Sequence, residues 1–425
     1  MPLSRDLRGP APASATPDGA GREKLILCIA LSWGLCAYFP VGVMYLHLFM
    51  MLFALAFSPQ ARQRMRDLRR DDLLLPLVLL LAWTLLATAV GDWYPDTGTR
   101  LFHIFRVALV LCMALALNAA QARAAIGGLL LGSVAAAAIV AAHQVWGLPD
   151  WAIWRSLLAS RNNFSSGNMI TMAMASGLSF FLGIAADTTP RRRWLALATA
   201  LVLAATVALH ALSRNAQLLL VLLLLTALVC RFRSLRAALG GLVSVLLLVV
   251  VVWQFSPTTQ SRFAEMASQL QAVQTESPSK YGTSVGVRWR MYQEALQGMA
   301  DHPVFGTGLG SWLPRWQRVW PSLQQQLPPE QQARFAEINN PHNDFLLSGM
   351  ETGVTGMLLL AWLVGRFVRR GWQQRSTAGG ITVVMGVAMF ATASVNAPFR
   401  DAALGMTLLW LLGVSVAAHR VAHDA

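Results

Sequence analysis

Apolar residues in this sequence run in blocks of 15 to 24, and no other feature constrains the fold so tightly. A bilayer's hydrocarbon core is about 30 Å thick and takes about 20 apolar residues per helix, fewer where helices are short or broken. Nine such spans can be read at 25–39, 42–57, 73–90, 101–117, 124–146, 168–186, 194–210, 215–229 and 239–255. Three more, at 345–368, 380–395 and 402–418, follow a long hydrophilic stretch. Composition agrees: of 425 residues 55% are hydrophobic and only 13% charged, where globular chains carry about 25% charged residues. Disorder, collagen and a disulfide scaffold are excluded by the same figures. Cys28, Cys36, Cys112 and Cys230 lie in or beside apolar runs without a C-x-x-C pair, which reads as packing. Residues 1–22 lack an apolar core and read as a disordered cytoplasmic tail, not a cleaved signal peptide.

The net charge of +14 sets the expected topology. Basic residues mark cytoplasmic loops, and here alternate connections are basic: Arg62 to Arg70, Arg123, Arg191 to Arg193, Arg231 to Arg236, and Arg366 to Arg375. With the two termini, that side carries 21 basic and 8 acidic residues, against 13 and 12 elsewhere. Both termini are therefore expected inside. A basic chain invites a nucleic-acid reading, but short loop clusters flanking spans are explained by topology and attraction to anionic lipid. No nucleic-acid partner is expected.

On the outward side two connections are long, 147–167 and 256–341. Within the second, Trp289, Tyr292, Leu296 and Met299 recur at helical steps, and Pro328-Pro329-Glu330 resembles a helix start. A small helical periplasmic lid is expected. The domain reading is a tail (1–23), nine spans (24–255), the lid (256–341), three spans (342–419) and a second tail (420–425).

Charged residues at this outward boundary are costly, and usually face protein or a wet cavity. They are Arg161 in Ser160-Arg161-Asn162-Asn163, Arg214 in a short hairpin, Arg288 and Arg290 in the lid, and His342 in Asn340-Pro341-His342-Asn343-Asp344. Arg100, Arg155 and Arg400 read instead as snorkelling anchors, and Arg106 as a polar packing or site residue. Arginines at headgroup level suit a phosphate or pyrophosphate, which guanidinium binds in bidentate fashion. A histidine is the natural base for a hydroxyl nucleophile. Gly306-Thr307-Gly308-Leu309-Gly310 lacks the strand a dinucleotide loop requires, so a tight turn within the lid is expected. No metal-ligand motif and no G-x-S-x-G elbow is present.

The ordered set of Ser213-Arg214, Arg288-Trp289-Arg290, Pro303-Val304-Phe305-Gly306-Thr307-Gly308, His342-Asn343-Asp344-Phe345-Leu346 and Gly349…Glu351-Thr352-Gly353 resembles the O-antigen ligase and polymerase superfamily of bacterial inner membranes. The resemblance implies an all-α membrane protein of GT-C type, with about twelve transmembrane helices and its active site facing the periplasm. It implies a metal-independent, inverting glycosyltransferase without cofactor. The donor would be undecaprenyl-pyrophosphate-linked O-antigen, and the acceptor a sugar hydroxyl of lipid A–core. Carried onto this sequence, His342 would be the base, with Arg288 and Arg214 on the pyrophosphate. Arg161, Asn162, Arg290, Tyr281, Asn343 and Asp344 would be substrate-binding candidates. One dominant outward loop favours a ligase over a polymerase, and the short C-terminal end argues against a protein O-oligosaccharyltransferase. A lipid-linked glycan transporter or flippase, the reading from another class, predicts inverted repeats and midplane charges, which the sequence meets poorly because its notable charges cluster at one face.

Overall fold

The computed structural model describes residues 17–148, 158–160, 163–211, 213–234, 239–243, 257–274, 283–327 and 338–418, with scattered positions between these segments. Its described elements are almost entirely helical. In chain order they are α1 (Pro17–Leu35), α2 (Val41–Phe57), α3 (Pro59–Asp67), α4 (Leu74–Val90), α5 (Thr97–Leu115) and α6 (Ala119–Trp146). A two-stranded hairpin, β1 (Leu158–Ser160) and β2 (Asn163–Phe164), precedes α7 (Ser166–Ile184), α8 (Pro190–His210) and α9 (Arg214–Phe232). Then come α10 (Pro257–Gln274), α11 (Ser284–Asp301), α12 (Trp312–Gln324), α13 (Asp344–Gln373), α14 (Thr377–Val395) and α15 (Ala403–Ala417).

Seven of these helices are long and apolar enough to cross a membrane, or eight if the pair bent by 95° at Ser58 counts as one span. Helices α4 and α15 are apolar but shorter. The chain is thus a multi-pass helical membrane protein. Eleven of the twelve sequence-read spans coincide with described helices, while 239–255 is described only in part, at 239–243 and a few further positions, all helical. The described part of helix α1 begins at Pro17, inside the stretch that the sequence reading gave to a tail. Lipid tails supply no hydrophobic drive between helices, so close backbone packing matters. Helices α1 and α6 show it: a Cβ on Gly128 or Gly132 would strike the carbonyls of Leu31 or Leu35.

The basic connections gather at one end of the bundle. Glu23 accepts hydrogen bonds there from Ser58, Arg64, Asn118 and Gln121, while Arg64 also caps α5 through the Ala116 carbonyl. Arg366 and Arg370 pair with Asp72 and Asp71. Arg231 reaches the Ile184 carbonyl, and Arg233 donates to the Trp372 carbonyl and lies over its ring.

The lid, α10 to α12, sits at the opposite ends of these helices. Its small core holds Val287, Met291, Ala295, Trp312 and Trp316, joined by Leu347 and Met350 of α13. The expected helix in the lid is there as α11, but its buried stripe differs from the one the sequence suggested. Trp289 and Leu296 are exposed, and Val287, Met291 and Ala295, four residues apart, face inward.

Candidate active site under the lid

Local sequence builds the His342 segment. The Asn340 side chain accepts the His342 backbone N–H at 2.9 Å, an Asx turn. His342 takes φ +53°, a left-handed conformation uncommon for non-glycine residues. Asn343 then caps α13, its Oδ1 accepting from Leu346 N at 3.0 Å. Its Nδ2 donates to the Ser394 carbonyl at 2.8 Å, tying the start of α13 to the end of α14. Asp344 is buried and accepts the Phe399 N–H at 2.8 Å.

Arg288 is an exposed residue of α11, one turn before Tyr292. Tyr292 faces both Arg288 and the Asn343 side chain. Burial pushes its phenol pKa up, while Arg288 and the Asn343 contact pull it down. The lid arginine and the His342 segment therefore meet around a tyrosine whose only sequence signal was its place in the lid periodicity. Arg290 points into a lid network, pairing with Glu294 at 2.6 Å, which also holds Arg315 at 3.2 Å.

Arg214 opens α9, and its Nη2 lies 3.4 Å from Glu265 of α10. The adjoining Asn215 donates to the Val395 carbonyl at 3.5 Å, one residue beyond the Ser394 carbonyl that Asn343 uses. The last turn of α14 is thus the shared floor of the Arg214 and His342 segments. Arg161, Asn162 and Tyr281 lie outside the described residues, as does Arg155.

The glycine-rich stretch turns out to be a staple between lid and membrane bundle. Helix α13 breaks at Gly353, which has φ +77° and ψ 175°. A break frees backbone groups that lipid cannot satisfy. Here Thr307 N–H donates to Met350 O at 2.7 Å, Val354 N–H to Pro303 O at 2.9 Å, and Trp83 Nε1–H to Thr352 O at 2.8 Å. Only glycine fits the contact: a Cβ on Gly353 would fall on the Val304 carbonyl, and one on Gly306 would lie 2.5 Å from Met350 O. From the other side Tyr94 Oη donates to Thr307 O at 3.1 Å, and Thr97 Oγ1 to Leu309 O at 2.6 Å.

Beneath this loop lies a cavity lined by Arg100, His103, Asp344, Ser348, Glu351 and Arg400 among others. Arg100 is 4% exposed and pairs with Glu351 at 2.9 Å; Arg400 pairs with Asp96 at 2.7 Å. Burial and the nearby Arg100 lower the Arg400 pKa, while Glu351 and Asp96 favour its charged form. Neither arginine is a snorkelling anchor, because each is held by a carboxylate inside the protein. Arg106 is equally buried, donating to the carbonyls of Phe399, Arg400 and Asp401. Sequence alone had no means of pairing residues 251 positions apart, such as Arg100 and Glu351.

These features define a class: a polytopic helical membrane protein whose bundle carries, at the end away from its basic loops, a lid arginine and the helix start that follows a histidine, brought together around a lid tyrosine. Within that class, residues 199–361 match the family model of the O-antigen ligase. The matched stretch runs from α8 through the lid to the broken half of α13, and it bears out the resemblance to the O-antigen ligase and polymerase superfamily. No protein of curated function matches the chain.

Proposed function

We propose that the protein is an O-antigen ligase of the bacterial inner membrane, joining lipid-linked polysaccharide to lipid A–core on the periplasmic face. The observation that carries this reading is the meeting of Arg288 and Asn343, the residue that follows His342, around Tyr292 within the stretch that matches the O-antigen ligase family. The lid, residues 256–341, then lies in the periplasm, with the basic loops and both tails in the cytoplasm. A twelve-span bundle of GT-C type, including 239–255, completes the proposal.

In the proposed reaction His342 takes the proton from the acceptor sugar hydroxyl as its oxygen attacks the anomeric carbon of the donor. The glycosidic bond forms as the bond from that carbon to the pyrophosphate oxygen breaks, with inversion. Pyrophosphate is already a competent leaving group, so the main task left to the protein is stabilising its developing charge. Arg288 and Arg214 supply bidentate donors for it, with Arg161 and Asn162 from the 147–167 connection as further candidates. Asn343, Asp344 and Tyr281 are assigned to orienting the base or the substrates. Arg290, engaged by Glu294, acts on the substrate only if that pair opens.

The test is transfer in vitro with purified protein, undecaprenyl-pyrophosphate-linked O-antigen and lipid A–core, in excess chelator. Polysaccharide-capped lipid A–core is the expected product. Longer chains on the donor lipid would make the protein a polymerase, capture on a protein acceptor an O-oligosaccharyltransferase, and movement of donor across vesicles without a new bond a flippase.

A further inference from the structure

The staple loop ends on a buried carboxylate that the proposed reaction does not use. Glu351 is 4% exposed, and its Oε1 accepts Arg100 Nε–H at 2.9 Å and Gly310 N–H at 3.2 Å. One oxygen thus joins α5, the lid loop and α13. Around it runs a chain of charge: Arg100 lies 3.8 Å from Asp96, and Asp96 holds Arg400 at 2.7 Å. Next to Arg400, the Phe399 N–H is held by Asp344, two residues beyond His342.

Stability alone gives little reason for this arrangement. A buried ion pair rarely outperforms apolar side chains of the same volume, and Leu80, Leu309, Leu347 and Leu360 already line the same cavity. Apolar packing is non-directional, so the Trp312 and Met291 cluster can hold the lid down without fixing its angle. Charge-assisted hydrogen bonds, by contrast, are short and directional. We propose that Glu351 is a positioning residue for the transfer reaction, fixing the lid loop against the first two turns of α13 so that Arg288 is held opposite His342. The proposal rests on the ligase reading given above.

The test uses the full-length protein and compares Glu351→Gln, Glu351→Asp and Thr97→Val. The last removes a separate anchor of the same loop, the hydroxyl bonded to Leu309 O. Spin labels at Gln297→Cys in the lid and Leu358→Cys on α13, both exposed positions, report lid placement in a background lacking the four native cysteines. Expected for Glu351→Gln is a kcat about tenfold or more lower, with donor KM changed by less than about twofold, and a broadened label-distance distribution. Glu351→Asp recovers part of the rate, and Thr97→Val moves both readouts in the same direction as Glu351→Gln. Full kcat in a folded variant overturns the proposal whatever the labels report. A lower kcat with an unchanged distribution overturns it too. If Glu351→Gln does not fold, Thr97→Val decides alone. If the wild-type chain transfers nothing, the ligase reading fails by itself. The labels then judge Glu351: broadening keeps it as the residue that fixes the lid, and an unchanged distribution removes it.

Discussion

His342 combines three local devices within four residues: an Asx turn from Asn340, a left-handed φ and the Asn343 cap that follows. Residues held in sparsely populated backbone regions cluster at functional sites, at a cost of order 1–3 kcal/mol. His342→Ala is expected to abolish polymer transfer while the protein still folds, measured as capped lipid A–core together with a melting curve. Normal capping by that variant would remove the general-base assignment. Arg288→Lys and Arg214→Lys keep the charge but lose the fork, and each is expected to lose about tenfold or more in kcat/KM, on the order of 1.4 kcal/mol of transition-state binding. Wild-type rates in both would end the pyrophosphate assignment. The motif residues His342, Asn343, Arg288 and Arg214 were legible because their types and order are distinctive. Tyr292 was legible only as a lid residue, since its neighbours Arg288 and Asn343 come together through folding. Glu351 and Arg100 were invisible as a pair, because nothing local marks two residues destined to share a buried hydrogen bond.

At the scale of elements, the break in α13 is the main departure from what apolar blocks announce. Gly353 sits inside one uninterrupted sequence-read span, yet its φ of +77° splits the helix, and a loop from the lid fills the gap. Gly353→Ala is expected to destabilise the protein by about 3 kcal/mol or more, because a Cβ adds backbone strain and strikes a carbonyl. The measurement is loss of folded, monodisperse protein in detergent, or a lowered melting temperature. An alanine variant as stable as wild type would mean that the turn can be remade as ordinary helix. The lid helix carries the opposite lesson. Its existence was readable from three- and four-residue spacing, but its buried face was not. Trp289 and Leu296 offered one apolar stripe and Val287, Met291 and Ala295 another, and contact with Trp312 and Met350 selected the second.

The whole molecule is polarised: basic loops tied to one another at one end, lid and candidate site at the other. That polarity was readable from charge counting, since loop arginines obey topology before any contact forms. In intact cells of a background without native cysteines, Gln297→Cys in the lid is expected to react with a membrane-impermeant maleimide, and Arg192→Cys in the first turn of α8 only after permeabilisation. The reverse pattern would invert the proposed orientation. The stapled break also bears on how the protein is made. Residues 303–307 and Trp83, which satisfy the broken turn, all precede Gly353 in the chain. At about 5–20 residues per second of synthesis, the 303–307 segment leaves the ribosome roughly 2 to 10 s ahead of the glycine. Partners for the interrupted helix therefore exist before it enters the bilayer, whereas a chain permuted to begin with α13 would have to insert with those backbone groups bare.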